Sequence, residues 1–249
     1  MESTTPAVLS TLLTLAILSG CSSQPDSTED SLVNDPIEGF NRVMFDLNYD
    51  YLDPYFVRPV SLTYVNYTPS PIRKGVSNFL ANLDEPSSMV NNLLMGNGEK
   101  AVTHLTRFFL NTTLGLGGLI DIASEADVIA YEEKTLGDAV GHYGVGNGPY
   151  VMVPGYGPWT LRETFDFADS MYVPLSYLNF WASLGKWAFE GMETRAALVS
   201  QESTLERSPD PYSLTRDVYL QRRDFTAEVE RTSLNEIDED ELDDYLDEF

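Results

Sequence analysis

The sequence predicts a mainly α-helical protein built as one large domain, on three observations. Apolar residues recur at helical spacing along much of the chain, as at Ile72, Val76, Phe79, Leu80 and Leu83. Period-two alternation is nearly absent, and residues 150–153 form the only short strand the pattern supports. Residues 141–158 hold six glycines, three prolines and three tyrosines. Glycine frees the backbone and proline fixes φ and removes a donor, so this stretch cannot be regular helix. It is also too apolar for a tether, and reads as an ordered, backbone-shaped loop held by the flanking helices.

Taken in order, residues 34–38 (NDPIE) form a helix start, with Asn or Asp as cap and Pro in the first turn. Phe40, Val43, Met44, Leu47 and Tyr51 then share one face until Pro54 and Pro59 break the run. A turn at residues 66–71 precedes the helix carrying the Ile72 stripe, which Asp84-Glu85-Pro86 interrupts. Met89, Val90, Leu93 and Leu94 resume that face before a Met-Gly-Asn-Gly turn. A second apolar segment follows, with Val102, Leu105, Phe108, Phe109 and Leu116. The two segments form a hairpin too short in either arm to cross a bilayer. It lies in one leaflet or packs as core, and composition favours core.

Residues 135–143 form a short helix leading into the glycine-rich loop. Residues 160–168 form another, with Thr160 and Glu163 in a capping-box pattern. Residues 183–200 read as a surface helix. Ser208-Pro209-Asp210-Pro211 stops one element and caps the next, a helix to about Val229 with Leu214, Val218 and Phe225 near one face.

Residues 7–19 are apolar or small, the length of a signal-peptide core and short of a membrane span, although the stretch before them carries Glu2 and no Lys or Arg. They end in Leu18-Ser19-Gly20-Cys21, which resembles the lipobox of bacterial lipoproteins, and Cys21 is the only cysteine. The expectation is a signal peptide over residues 1–20, acylation (palmitate included) at Cys21 and a short acylated tether over residues 21–33. The resemblance implies a diacylated thiol and an acylated new amine, and three acyl chains anchor stably. Ser22 in place of Asp favours the outer membrane, by the same resemblance. A single cysteine leaves no disulfide framework.

The formal net charge is −24, which disfavours nucleic acid. Nine of the fourteen residues 236–249 are acidic, so residues 233–249 read as an acidic, disordered tail beyond a helical domain at 34–232. A broad acidic bias also suits high salt. No nucleophile elbow, phosphate loop, His-Glu-x-x-His or paired-cysteine metal set occurs, so the sequence predicts no enzyme, no cofactor and no metal. Of the two histidines, His104 and His142, the second has Asp138 four residues upstream, a spacing that allows an Asp–His pair on one turn, structural in role. Asp166 and Asp169 have the spacing of a solvated helical face.

Five blocks in order carry a resemblance: NDPIEGFNRVMFDLNYDYLDPYFVRPV, SPIRKGVSNFLANLDEPSSMVNNLL, RFFLNTTLGLGGLIDIA, GDAVGHYGVGNGPYVMVPGYGPWTLRETFD and DPYSLTRDVYLQRR. Together they resemble the MlaA/VacJ family of outer-membrane lipoproteins. The resemblance implies a ring- or disc-shaped helical domain in the inner leaflet of the outer membrane, with a central amphipathic channel. Through it, phospholipid mislocalised to the outer leaflet reaches a soluble periplasmic carrier of the MlaC type, and lipid asymmetry is maintained. It also implies association with a trimeric porin. On that reading the hairpin around Met89, Leu93, Leu94, Phe108 and Phe109 faces lipid or porin. Gly141, Tyr143, Gly144, Gly146, Asn147, Gly148 and Tyr150 form or flank the channel loop, and Phe40, Asn41 and Arg42 stand near the ring, with Asn41 a channel contact. A porin-associated scaffold that moves no lipid is the alternative; a phospholipid hydrolase is the third reading, disfavoured by the missing nucleophile.

Overall fold

The computed structural model describes residues 35–229. The expectations for the signal peptide, Cys21, the tether and the acidic tail lie outside those residues. Nine α-helices, a two-stranded sheet and several tighter or wider helical turns make up the described chain.

Helix α1 (Glu38–Asp46) runs into a π-helical stretch (Leu47–Val57) and directly on into α2 (Arg58–Tyr67). The expected break at Pro54 and Pro59 does not occur. Pro54 sits inside the π-helical stretch and Pro59 in the first turn of α2. The wider π register absorbs the missing donor where an α-helix would kink. The expected Asn or Asp cap is also absent. Asp35 instead accepts from Asn41 Nδ2 (2.7 Å), the Tyr212 hydroxyl and Arg216 Nη1 (3.3 Å), fastening the entry of the domain to its last helix.

Helix α3 (Ser70–Leu94) follows a turn at Thr68 and Pro69, with Pro71 in its first turn. Asp84-Glu85-Pro86 does not interrupt it. The Met95–Gly98 turn leads to antiparallel α4 (Gly98–Thr113), so the hairpin forms as expected. Its faces, however, are reversed from a water-soluble core. The buried residues of α3 are Leu80, Asn82, Leu83, Glu85, Ser87, Ser88, Asn91 and Asn92. Those of α4 are Ala101, His104, Arg107 and Asn111. Ile72, Leu93, Leu94, Val102, Leu105 and Phe109 stand outside, and Met89 and Phe108 are half-buried. Of the apolar stripe only Leu80 and Leu83 are buried, so its packing as ordinary core is corrected for Ile72 and Phe79 and for the Leu93-Leu94 end.

Polar satisfaction holds the hairpin together. Glu85 accepts from His104 Nδ1 (2.6 Å) and Arg107 Nε (3.0 Å). Arg107 forks onto Asp121 (3.1 and 3.0 Å) and also reaches Val128 O (3.0 Å). Asp121 also takes Asn111 Nδ2 (3.0 Å) and caps α5 (Ile122–Glu125). In the loop between, Gly118 has φ +101°, and a Cβ there would lie 2.8 Å from the Asn82 side chain.

Helix α6 (Leu136–His142) is capped by Thr135, with Asp138 completing the box. Strand β1 (Tyr150–Val153) is present, and pairs antiparallel with β2 (Gly157–Thr160), which its Gly-Pro content had hidden; Val151 faces Trp159 and Met152 faces Pro158. A long 3₁₀ turn (Leu161–Met171) replaces the expected α-helix, with Glu163 accepting from Thr160 N–H (3.0 Å) as the capping pattern required. A second short 3₁₀ turn (Leu175–Tyr177) precedes α7 (Phe180–Leu198), which has no buried residue. The small α8 (Glu202–Glu206) leads to α9 (Pro211–Thr226), capped by Asp210. A hydrophobic cluster of Phe45, Tyr150, Met152 and Tyr212 ties α1, β1 and α9 together.

Among the described residues, eleven buried apolar residues stand against seventeen buried polar or charged ones. Large apolar side chains lie outside along α1 to α4 and α7. A monomer in water rarely exposes apolar surface on that scale; such surfaces meet lipid or another protein. No helix of the described residues is long and apolar enough to cross a membrane.

Candidate functional site: cavities along helix α7

Helix α7 borders three cavities in succession, although none of its residues is buried. Near its C-terminal end, Arg195 and Leu198 face a groove of about 600 Å³. Its walls are largely apolar, with Phe45, Leu52, Val57, Met152, Tyr156 and Val218 among them. One corner is charged. Arg195 clasps Asp53 (2.5 and 2.6 Å) and reaches Glu202 (2.5 Å), and the hydrogen bonds it donates to these carboxylates hold its guanidinium above the usual range. This clasp ties α7 to the π-helical stretch and to α8.

Further along, Phe189, Glu193 and Thr194 border a cavity of about 320 Å³ with Tyr64, Val76, Ser77 and Leu80. Ser183, Lys186 and Trp187 border one of about 300 Å³ with Asp84, Asp166 and Asp169. Glu133 and Glu190 line both, so the two adjoin. Tyr156 of the groove stacks on Trp187, centroids 6.2 Å apart and planes 3° from parallel, so an aromatic pair stands between groove and polar cavity.

Charge in the polar cavity is strongly perturbed. Burial pushes the Asp84 carboxyl up, against the pull of Lys186 Nζ at 2.7 Å. Desolvation by the cavity walls and then the neighbouring Asp84 also raise Glu133, although its residue keeps an exposed edge. Asp166 is pushed up to about 6 by burial, opposed by Arg223 and by the Gly137 N–H at 2.7 Å. Asp169 is raised by burial, though Asn91 Nδ2 and the Leu136 N–H both donate to it. Burial alone would lower Lys186; Asp84 and Glu190 carry it above its ordinary value. The solvated helical face expected for Asp166 and Asp169 is therefore corrected, because both line a cavity and hold backbone groups.

The loop and strand residues picked out in the sequence lie elsewhere than these walls. Asn41 is fully buried and pins β1, donating to Tyr150 O (3.0 Å) and accepting from Met152 N (2.9 Å). Arg42 forks onto Asp210 (3.0 and 2.7 Å) and lies over the Tyr212 ring, while Phe40 is exposed. Tyr150 is buried against the rings of Tyr212 and Tyr219. Tyr143 is exposed, and its hydroxyl donates to Leu94 O (2.5 Å) at the end of α3. Asn147 Nδ2 donates to Asp224 (2.6 Å), and Asn147 O accepts the Arg162 N–H (3.1 Å). Gly144 and Gly148 adopt φ of +92° and +71°; Gly146 has open space around it. Gly141 lies in α6, where a Cβ would come within 2.6 Å of Arg162 Nη1. Buried Arg162, donating to Arg223 O (2.5 Å) and Val145 O (3.4 Å), anchors the loop from below. The Asp138–His142 pair that the spacing allows is not formed. Asp138 takes Thr226 Oγ1 (2.8 Å) and the Thr135 N–H (3.1 Å), and His142 Nδ1 has no hydrogen-bond partner among the described residues.

Sequence spacing missed Asp84, Glu133, Lys186 and Glu190 because they come from three separate segments. No group of these or other described residues is arranged to hold a metal ion.

Comparison with known proteins gives one consistent result. The family model described as MlaA lipoprotein matches residues 33–226. The intermembrane phospholipid transport system lipoproteins MlaA of Shigella flexneri and Escherichia coli are each 48% identical over 214 residues, covering 85% of this chain and 84% of theirs. The Haemophilus influenzae protein of that name is 34% identical over 89% of this chain and 90% of its own. A solved structure described as the structural basis for maintenance of bacterial outer membrane lipid asymmetry is similar at TM-score 0.75 and 55% identity. It covers 78% of this chain and 98% of its own.

Proposed function

The chain belongs to the MlaA lipoprotein family, and from that premise we propose that it draws mislocalised phospholipid out of the outer leaflet of the outer membrane. The single observation that carries the mechanism is the run of cavities along α7, apolar at one end and charged at the other. Acyl chains keep to the groove walled by Leu52, Val57 and Val218, while the head group enters the space bordered by Lys186, Glu133 and Glu190. A polar head group in bare hydrocarbon costs several kcal/mol, and fixed charges along a passage lower that barrier without covalent chemistry. The role is transport, with no bond made or broken.

The exposed apolar faces of α3 and α4 suit immersion in the periplasmic leaflet of the outer membrane, with Leu93, Leu94 and Phe109 toward lipid or a trimeric porin. Lipid leaving the passage goes to a soluble periplasmic carrier of the MlaC type, whose greater affinity sets the direction. The glycine loop, with Tyr143 resting on the end of α3, flanks the route and moves with the hairpin.

Deleting the gene and measuring surface-exposed phospholipid tests this reading. Accumulation in the outer leaflet, reversed by the wild-type copy, is the expected outcome. An unchanged leaflet composition with altered porin assembly would instead make the protein a scaffold.

A further inference from the structure

We propose that the polar cavity beside α7 is a subsite for the ammonium end of a zwitterionic phospholipid head group, and so favours amine-bearing over glycerol head groups. The proposal rests on the transport reading above and names the lipid class it takes. Four features of one cavity point to an ammonium rather than to a neutral or purely anionic group. Glu133 borders both adjoining cavities, is open to solvent there and, among the described residues, has no hydrogen bond or ion pair. Trp187 puts an indole on the same wall, and an ammonium is attracted to an aromatic face. Lys186 donates to Asp84 (2.7 Å) and Glu190 (2.5 Å), which takes two of its three N–H donors and leaves one for a phosphate oxygen. Asp166 and Asp169 are already engaged by backbone N–H groups and Asn91, so Glu133 is the carboxylate left to answer an incoming charge.

The electrostatics agree with this placement. Desolvation and the neighbouring Asp84 push the Glu133 carboxyl above its ordinary range. An ammonium entering beside it favours the carboxylate and forms a charge-assisted hydrogen bond there. A glycerol head group presents hydroxyls and a net negative charge, which the surplus of carboxylates over Lys186 disfavours.

Native mass spectrometry of the purified protein in detergent tests the assignment with three short-chain probes: dihexanoyl phosphatidylethanolamine, its N-acetylated form and dihexanoyl phosphatidylglycerol. The expected result is roughly tenfold tighter binding of the free amine than of either other lipid. Glu133→Gln removes that preference, bringing the free amine down to the level of the other two lipids. Lys186→Gln weakens all three lipids together, because each carries the phosphate. Equal binding of the three by the wild-type protein overturns the subsite and leaves the passage standing, and so does a folded Glu133→Gln variant that keeps the preference. Failure of every lipid to bind overturns the passage as well. The wild-type comparison decides the matter even where a variant does not fold.

Discussion

Tyr156 and Trp187 lie ring on ring with planes 3° from parallel, joining the turn of the β-hairpin to the middle of α7. Gly155 and Gly157 flank Tyr156 at φ of +73° and +108°, a backbone that delivers the tyrosine ring away from the strands. The stack is the contact that holds this turn against a helix which itself buries nothing.

Trp187→Ala is therefore expected to loosen the turn at residues 153–157 by about 0.5–1.5 kcal/mol, the worth of an aromatic pair. Amide hydrogen exchange there should speed up, while exchange in α3 and α4 stays as in the wild type. Trp187→Phe should restore most of the protection. Unchanged exchange in the alanine variant would show that the stack does not hold the hairpin.

Replacing Arg107 by Met strands Glu85 and Asp121 inside the hairpin, and removing one partner of a buried ion pair costs about 3–5 kcal/mol. Arg222, paired with Glu132 but 73% exposed, should cost under about 0.5 kcal/mol when changed to Ala. Chemical denaturation in detergent measures both, and a similar loss for the two would contradict the hairpin network as the source of stability.

The pH dependence should run against the common acid lability. Asp84, Glu133, Asp166 and Asp169 all have raised values in the folded state, so the native protein binds more protons than the unfolded chain above the ordinary carboxylate range. Stability from these groups falls as pH rises and is recovered on acidifying toward about pH 5. Asp166, at about 6 against 3.8, accounts for about 3 kcal/mol of this change over the whole range. Asp121 and Glu228 are lowered, so their contribution is present near neutrality and is lost only below the ordinary carboxylate range. Asp166→Asn should flatten the rise in melting temperature between pH 7 and 5, and an unflattened profile would remove Asp166 from this account.

Gly141 in the last turn of α6 and Gly146 in the loop beyond it should respond differently. Gly141→Ala puts a methyl 2.6 Å from Arg162 Nη1 and 2.9 Å from the Ala227 Cβ, an overpacking worth about 1–3 kcal/mol. Gly146→Ala meets nothing within 4 Å and should change stability by less than about 0.5 kcal/mol. Melting temperatures of the two variants check the contrast.

Helix positions were legible because local spacing encodes them: the Ile72 stripe, the Met-Gly-Asn-Gly turn and the Asp210 cap each appear where the pattern puts them. Which face of α3 turns inward was not, since apolar periodicity is the same whether the stripe meets core or lipid. The opposite face held a usable signal. Asn82, Ser87, Ser88, Asn91 and Asn92 are small and uncharged, the composition of a hydrogen-bonded interior rather than of a solvated surface. The π-helical passage through Pro54 leaves no local signature that separates it from a break. Lys186, Glu133 and Asp84 meet only through tertiary packing, so no spacing could join them into a site.

The central claim is that lipid passes through the cavities beside α7, and a steric plug tests it most directly. Ser77 and Ser183 are exposed on the walls of the two adjoining cavities, so tryptophan at either position adds bulk to open space rather than to packed core. Cells carrying the Ser77→Trp, Ser183→Trp double variant as their only copy should accumulate surface phospholipid to the level of the deletion, with the protein folded and in the outer membrane. Wild-type lipid asymmetry in those cells would contradict the passage.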